Sequence, residues 1–350
     1  MLLLLLAPLL AQPNLLEQAK QAREANQLSS SNQLLRRHLA TNPGSNEAWW
    51  YLGLNAYDAD NFPACAEAFG KVFAAEANNG GAAAFLGLCE FRLGQYEKAF
   101  SHLALARRAG LVAETELEKV AHFHYLMLLN KIGQFEMAAG LLAEAARSTP
   151  EMPFLLEMCG IATLRLSKLP MEIVAAEAEP ISLAGRACLL AFQRRPGEAK
   201  PPAEELLAKY PKLPNAHYLR GYLALLEQDP KCIDYFAEEL TVSPNHIQAR
   251  LQIAYEWLKR GEAARGLPYA AEAAKLAPKD FTAHNIHGRL LLETEAYAAA
   301  ASALEQAVVL APNSPEAHFH LASAYNRLGR KAEAQKHREI FATLDKQRKR

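Results

Sequence analysis

The chain is poor in the β-branched residues that build sheets, holds only 18 Gly and 19 Pro in 350 residues, and is rich in Ala and Leu instead. That balance disfavours strands and favours helices. Net charge is missing as well, because Lys plus Arg and Asp plus Glu both total 38. No overall field draws the chain to nucleic acid or to an anionic membrane, so neither is an expected partner. Paired cysteines are also lacking: Cys65, Cys89, Cys159, Cys188 and Cys232 are odd in number, with no CxxC pair and no zinc-type His spacing. Each falls where a helix needs a small apolar residue, so core packing is expected of them, without a disulfide framework or a metal site.

Long hydrophobic runs are absent apart from Met1 to Ala11, which is too short to cross a bilayer as a helix but suits a signal-peptide core. A periplasmic or secreted location is therefore expected, with cytoplasmic as the alternative, and no integral membrane span. Against export, no Lys or Arg precedes the run, and Leu9 stands two positions before the candidate cut after Ala11. Phosphate loops, GxSxG elbows, HExxH pairs and kinase signatures are missing too, so no catalytic residue, no cofactor and no enzymatic activity is expected.

What the chain does contain is a period. Trp49, Leu52 and Gly53 are followed by Cys65 and Phe69; thirty-four residues after Leu52 and Gly53 come Leu86 and Gly87, then Gly94, Tyr96, Ala99 and Leu103. The run Gly94, Gln95, Tyr96, Glu97, Lys98, Ala99 returns as Gly133, Gln134, Phe135, Glu136, Met137, Ala138, one period plus a five-residue insertion near Leu111 to Thr115. Pro244, Pro278 and Pro312 are thirty-four apart, and Pro211 precedes Pro244 by thirty-three. Units therefore begin near residues 12, 46, 80, 119, 153, 180, 214, 247, 281 and 315, each a pair of helices that buries its apolar stripe against its neighbours.

Small residues such as Gly53, Gly87, Gly221 and Gly288 let the paired helices approach, and Gly94, Gly133, Gly261 and Gly329 fall in the turns between them. Two stretches break the pattern. Pro268 predicts a kink or a late start in its helix, and residues 168 to 182 predict a short or irregular one. The organisation expected is a possible signal peptide over 1–11, regular units over 12–152, degenerate ones over 153–213, and regular units with a basic tail over 214–350.

The order and spacing of these residues resemble the tetratricopeptide repeat family. The resemblance implies an all-α fold, a right-handed superhelical α-solenoid of about ten helical hairpins, that binds a protein or peptide partner. It also implies that the first helix of each hairpin lines a concave groove. That rule places Trp50, Tyr57, Phe91, Phe123, Asn130 and Tyr218 inside the groove, together with Tyr222, Tyr255, Asn285, Arg289, Phe319 and Asn326. Aromatic rings supply contact area at low entropic cost and amides pair with peptide backbone. The strongest patch expected is Tyr218, Tyr222, Tyr255, Asn285 and Arg289.

The Lys and Asn that clamp chaperone tails in this family are replaced by Trp50 and Leu54, or Ala84 and Leu88, so acidic chaperone tails are not expected partners. His284, His287, His318 and His320 have a spacing that suggests a metal only weakly, because His284 and His318, like His217 and His122, occupy the motif's Trp position. The function expected is a scaffold holding a peptide segment or helix in the groove. The alternative is an accessory subunit of an envelope enzyme or secretion complex, docked through its convex face or ends.

Overall fold

The structure, a computed structural model, describes residues 14–112 and 115–349. Contacts divide the chain into two units that meet at Val174 and Ala175. The run Met1 to Ala11 lies outside the described residues, as do residues 113 and 114 of the insertion. Among the described residues there are nineteen α-helices, one short 3-10 helix and no strand, which makes the fold an all-α solenoid of hairpins.

Unit 1 comprises α1 (Leu15–Glu24), α2 (Leu28–Thr41), α3 (Asn46–Asp58), α4 (Phe62–Ala75), α5 (Gly80–Arg92), α6 (Tyr96–Ala109), α7 (Glu116–Lys131), α8 (Phe135–Ser148) and α9 (Leu155–Leu164). Unit 2 comprises α10 (Ala175–Phe192), α11 (Pro196–Lys209), α12 (Ala216–Leu226), α13 (Cys232–Val242), α14 (Ile247–Lys259), α15 (Ala263–Leu276), α16 (Phe281–Glu293), α17 (Tyr297–Leu310), α18 (Pro315–Arg327) and α19 (Lys331–Arg348). Nine hairpins pair consecutive helices. After α9 the second helix is reduced to a 3-10 turn, Pro170–Glu172, within the stretch where the prolines predict irregularity.

The same local chemistry builds every hairpin. Side chains of Asn14, Ser45, Asn79, Thr115, Asp280 and Ser314 accept the backbone N–H three residues on and so cap first helices. Each first helix ends in a backbone bond spanning five residues, for example Gln95 to Glu90 and Glu262 to Trp257, with a left-handed residue at the turn. The hairpins then close over small residues. A Cβ placed on Gly221 would lie 2.7 Å from the Phe236 ring, and one on Gly288 would lie 2.5 Å from Leu304. Helices meet that closely only where no side chain stands between them.

Two expectations need correction. Helix α15 starts at Ala263 and runs on past Pro268, so no late start occurs; near the N-terminus the ring removes a single intrahelical bond. Cys65 of α4 and Cys89 of α5 are joined in a disulfide with Cα atoms 6.2 Å apart, where unpaired packing cysteines were expected. They lie 24 residues apart in sequence and are brought together by the packing of one hairpin on the next. Cys159, Cys188 and Cys232 are buried. Among the described residues no helix is long and apolar enough to cross a membrane.

Candidate functional site

Each first helix has one position, seven residues before its left-handed turn residue, at which Gly53, Gly87, Gly221 and Gly288 meet the second helix of their hairpins. In unit 2 the residue after that position is Cys188 in α10, Tyr222 in α12, Tyr255 in α14, Arg289 in α16 and Ser323 in α18. Cys188 is buried and the other four are open or half-buried, with Tyr222 and Tyr255 37% and 38% exposed. In unit 1 it is Lys20, Leu54, Leu88, Met127 and Cys159, the first two half-buried and the last three buried. An aromatic and cationic face thus lies on α12, α14 and α16 of unit 2.

Within that face Tyr255 carries two cations near its ring, Lys259 Nζ at 5.8 Å and the Arg289 guanidinium at 5.9 Å. Arg289 Nη1 donates to Glu316 Oε1 at 2.7 Å, which ties α16 to α18. His320, one turn beyond Glu316, is pushed down to about 4 by burial and by the nearby Arg289 charge, so it is neutral at neutral pH. Phe319, more than half exposed, leans on Phe341 of α19 at 5.4 Å, and Asn326 is exposed on the same helix. Burial raises the Tyr222 phenol, which stays protonated and able to donate.

The remaining groove candidates are held by packing. Tyr218 is half-buried against Phe236 at 5.4 Å and His246 at 4.8 Å. Trp50 meets Phe69 and Phe85 edge-on, and Tyr57 meets Phe85 at 5.4 Å, so both belong to an aromatic cluster around the disulfide. Phe123 is half-buried and lines a cleft of about 520 Å³ with His122, Met152 and Pro153. Phe91, Asn130 and Asn285 are buried, which corrects their placement in an open groove. Asn130 Nδ2 instead donates to the Met158 carbonyl of α9 at 3.0 Å, bracing one first helix against the next. Lys259 and Leu226 also lie on the open face without having been singled out from sequence.

The histidines at the motif's Trp position have a structural role. Trp49 Nε1 donates to the Pro43 carbonyl at 2.9 Å, and His217, His284 and His318 place Nε2 at 3.0, 3.0 and 2.9 Å from the carbonyls of Pro211, Pro278 and Pro312. An imidazole N–H reproduces the indole's bond six residues back. In each case Nε2 carries the donated hydrogen. Among the described residues no three His, Cys, Asp or Glu side chains gather as a metal site would require.

The family model for the tetratricopeptide repeat matches residues 251–315 and 287–336. Residues 251–336 carry tetratricopeptide repeats. Of these units, the matched ones contain Tyr255, Arg289 and Phe319 of the open face. Among solved structures, MamA from Desulfovibrio magneticus RS-1 is similar at 22% identity, covering 47% of this chain and 94% of its own, with a TM-score of 0.45. YrrB, described as a TPR protein with an unusual peptide-binding site, is similar at 17% identity, covering 45% of this chain and 82% of its own, with a TM-score of 0.42. No curated protein matches this chain by sequence.

Proposed function

We propose that the protein is an interaction scaffold that holds a peptide segment or partner helix along the first helices of unit 2, with Tyr222 and Tyr255 as anchors. The supporting observation is the contrast in one register. That position is a buried Leu88, Met127, Cys159 and Cys188 in α5, α7, α9 and α10, but an open or half-buried Tyr222, Tyr255 and Arg289 in α12, α14 and α16. Half-exposed tyrosines bury much area at low entropic cost when a guest arrives. Holding a guest is work for an extended face, and the repeat units supply such faces in series. An exported location is part of the proposal. The Cys65–Cys89 disulfide suits an oxidising compartment, where such bonds persist, and the apolar run Met1 to Ala11 suits export.

The test is site-specific photocrosslinking in the native cell. A probe replacing Tyr222 is expected to capture a discrete partner, whereas a probe replacing the well-exposed Lys275 on second helix α15 is expected to capture none. Capture from position 275 and not 222 would instead favour the accessory-subunit reading, with docking through the convex side. Fractionation in the same cells tests the compartment, and a wholly cytoplasmic distribution would remove export from the proposal.

A further inference from the structure

We propose that the contact between His318 of α18 and His337 of α19 is a proton-limited clasp, which holds the last helix down near neutral pH and releases it once acid has charged both rings. Packing alone holds α19 weakly. Of its 18 residues only Ala334 is buried, whereas the 14 residues of α17 bury Ala300, Ala301, Ala303, Leu304 and Ala307. Ile340, Phe341 and Leu344 of α19 are half-buried. An end helix has a neighbour on one side only, so a side-chain contact near its middle matters more there than between two inner helices.

The two Nδ1 atoms lie 2.7 Å apart, and the ring centroids are 5.0 Å apart with their planes at 25°. The centroid separation matches the nitrogen separation plus one ring radius at each end, so the nitrogens meet head-on with room for a single hydrogen between them. His318 gives its Nε2–H to the Pro312 carbonyl at 2.9 Å. In the neutral ring its Nδ1 is then the acceptor, and His337 supplies the hydrogen. Two imidazoles on one zinc, bound tetrahedrally at about 2.0–2.1 Å, would instead stand roughly 3.4 Å apart and aim at the ion rather than at each other. One extra proton is tolerated, because it can enter at His337 Nε2 and leave the shared hydrogen in place. A second would put hydrogen on both Nδ1 atoms and set two cations face to face, so the contact must open.

The charges around the pair do not compensate a doubly charged state. Glu305 of α17 accepts from the Tyr325 hydroxyl of α18 at 2.7 Å and lies 4.0 Å from Arg330. Glu333 of α19 is paired with Arg330, and Lys336 adds a positive charge beside His337. Arg289 of α16 is bound to Glu316 of α18 and faces His320 instead. Burial and the neighbouring His318 together hold the His337 imidazole below its usual range. Release of α19 uncovers Leu321, Ala324 and Tyr325, the stripe of α18 that Ala334 packs against.

Amide hydrogen exchange in the full chain, corrected for the intrinsic rate at each pH, tests the clasp. Free imidazoles titrate near about 6.5, so the opening constant of α19 is expected to rise about tenfold per pH unit between about pH 6 and pH 4, the slope that one excluded proton imposes. In His337→Gln the amide can donate to a neutral His318 Nδ1 or, turned over, accept from a protonated one, so opening should be flat across that range. His320→Gln removes an imidazole outside the clasp and should leave the wild-type slope for α19. Exchange in wild-type α19 that does not change with pH would overturn the proposal. So would a His337→Gln chain that opens more at every pH but keeps the wild-type slope, the mark of packing alone. Zinc that slows exchange of α19 in the wild type but not in His337→Gln would replace the clasp with a metal site.

Discussion

Arg220 shows how far a single residue departs from what the period asks. It stands in α12 where the units at Leu52, Leu86 and Leu321 place leucine, yet it is a charged side chain only 2% exposed. Its Nε and Nη1 have no hydrogen-bond partner, and its carboxylates, Glu204 and Glu227, lie at 3.7 and 4.0 Å. Stacking on Tyr235 at 4.7 Å offsets part of the desolvation. Because a buried pair with poor geometry is often matched or exceeded by an apolar side chain of similar volume, Arg220→Met is expected to stabilise unit 2 by about 1–3 kcal/mol. A urea melt of the two proteins measures it, and a loss of stability would mean that the ion pairs outweigh desolvation. The sequence shows the Arg in a Leu position but not whether it snorkels to solvent or stays inside. The same limit applies to Asn130 and Asn285, whose amides were legible as groove donors or as core braces until the neighbouring helices were placed.

Hairpin turns were legible in part. Gly94, Gly133, Gly261 and Gly329 adopt positive φ as their spacing predicts, but Asp60, Gln228 and Glu295 reach the same conformation at the equivalent turn without glycine. The periodic packing on both sides over-determines the turn, so propensity yields to tertiary context. That override has a cost. Glu295 sits at φ 60°, where a side chain carries roughly 1 kcal/mol of strain that glycine does not. Glu295→Gly is therefore expected to stabilise the α16–α17 hairpin by about 1 kcal/mol, seen as slower amide exchange across that hairpin. Unchanged or faster exchange would count against strain at this turn. The prolines were similarly ambiguous. Pro170 belongs to the irregular 3-10 segment, whereas Pro268 lies inside α15, and the difference is set by the helices that pack around each one rather than by the dipeptides that contain them.

Across the whole molecule the thirty-four-residue period fixed the helices, because each stripe is buried only by a neighbour at that spacing, while contacts between hairpins that no local spacing encodes stayed hidden. The Cys65–Cys89 bond is one of these. Its replacement by Cys65→Ser should cost about 3 kcal/mol for a loop of this size and lower the melting of unit 1 alone. Histidine burial is another, and it affects both units. His122 and His124 in unit 1 and His287, His320 and His337 in unit 2 are all held below the ordinary value of 6.5 chiefly by burial, His320 at about 4. A group that binds its proton less readily folded than unfolded makes unfolding take up protons, so the sign is fixed. Stability is fully present above pH 6.5 and falls as the pH drops through the folded values toward 4. Glu76, Glu172, Glu179, Glu198 and Glu333, held below 4.5 by hydrogen bonds and cations that outweigh desolvation, extend the loss in the same direction at lower pH. Urea midpoints are expected to decline between about pH 7 and pH 5. His320→Gln should flatten that decline, since a glutamine takes up no proton. A midpoint that rises on acidification would show that the buried imidazoles are already charged in the folded chain.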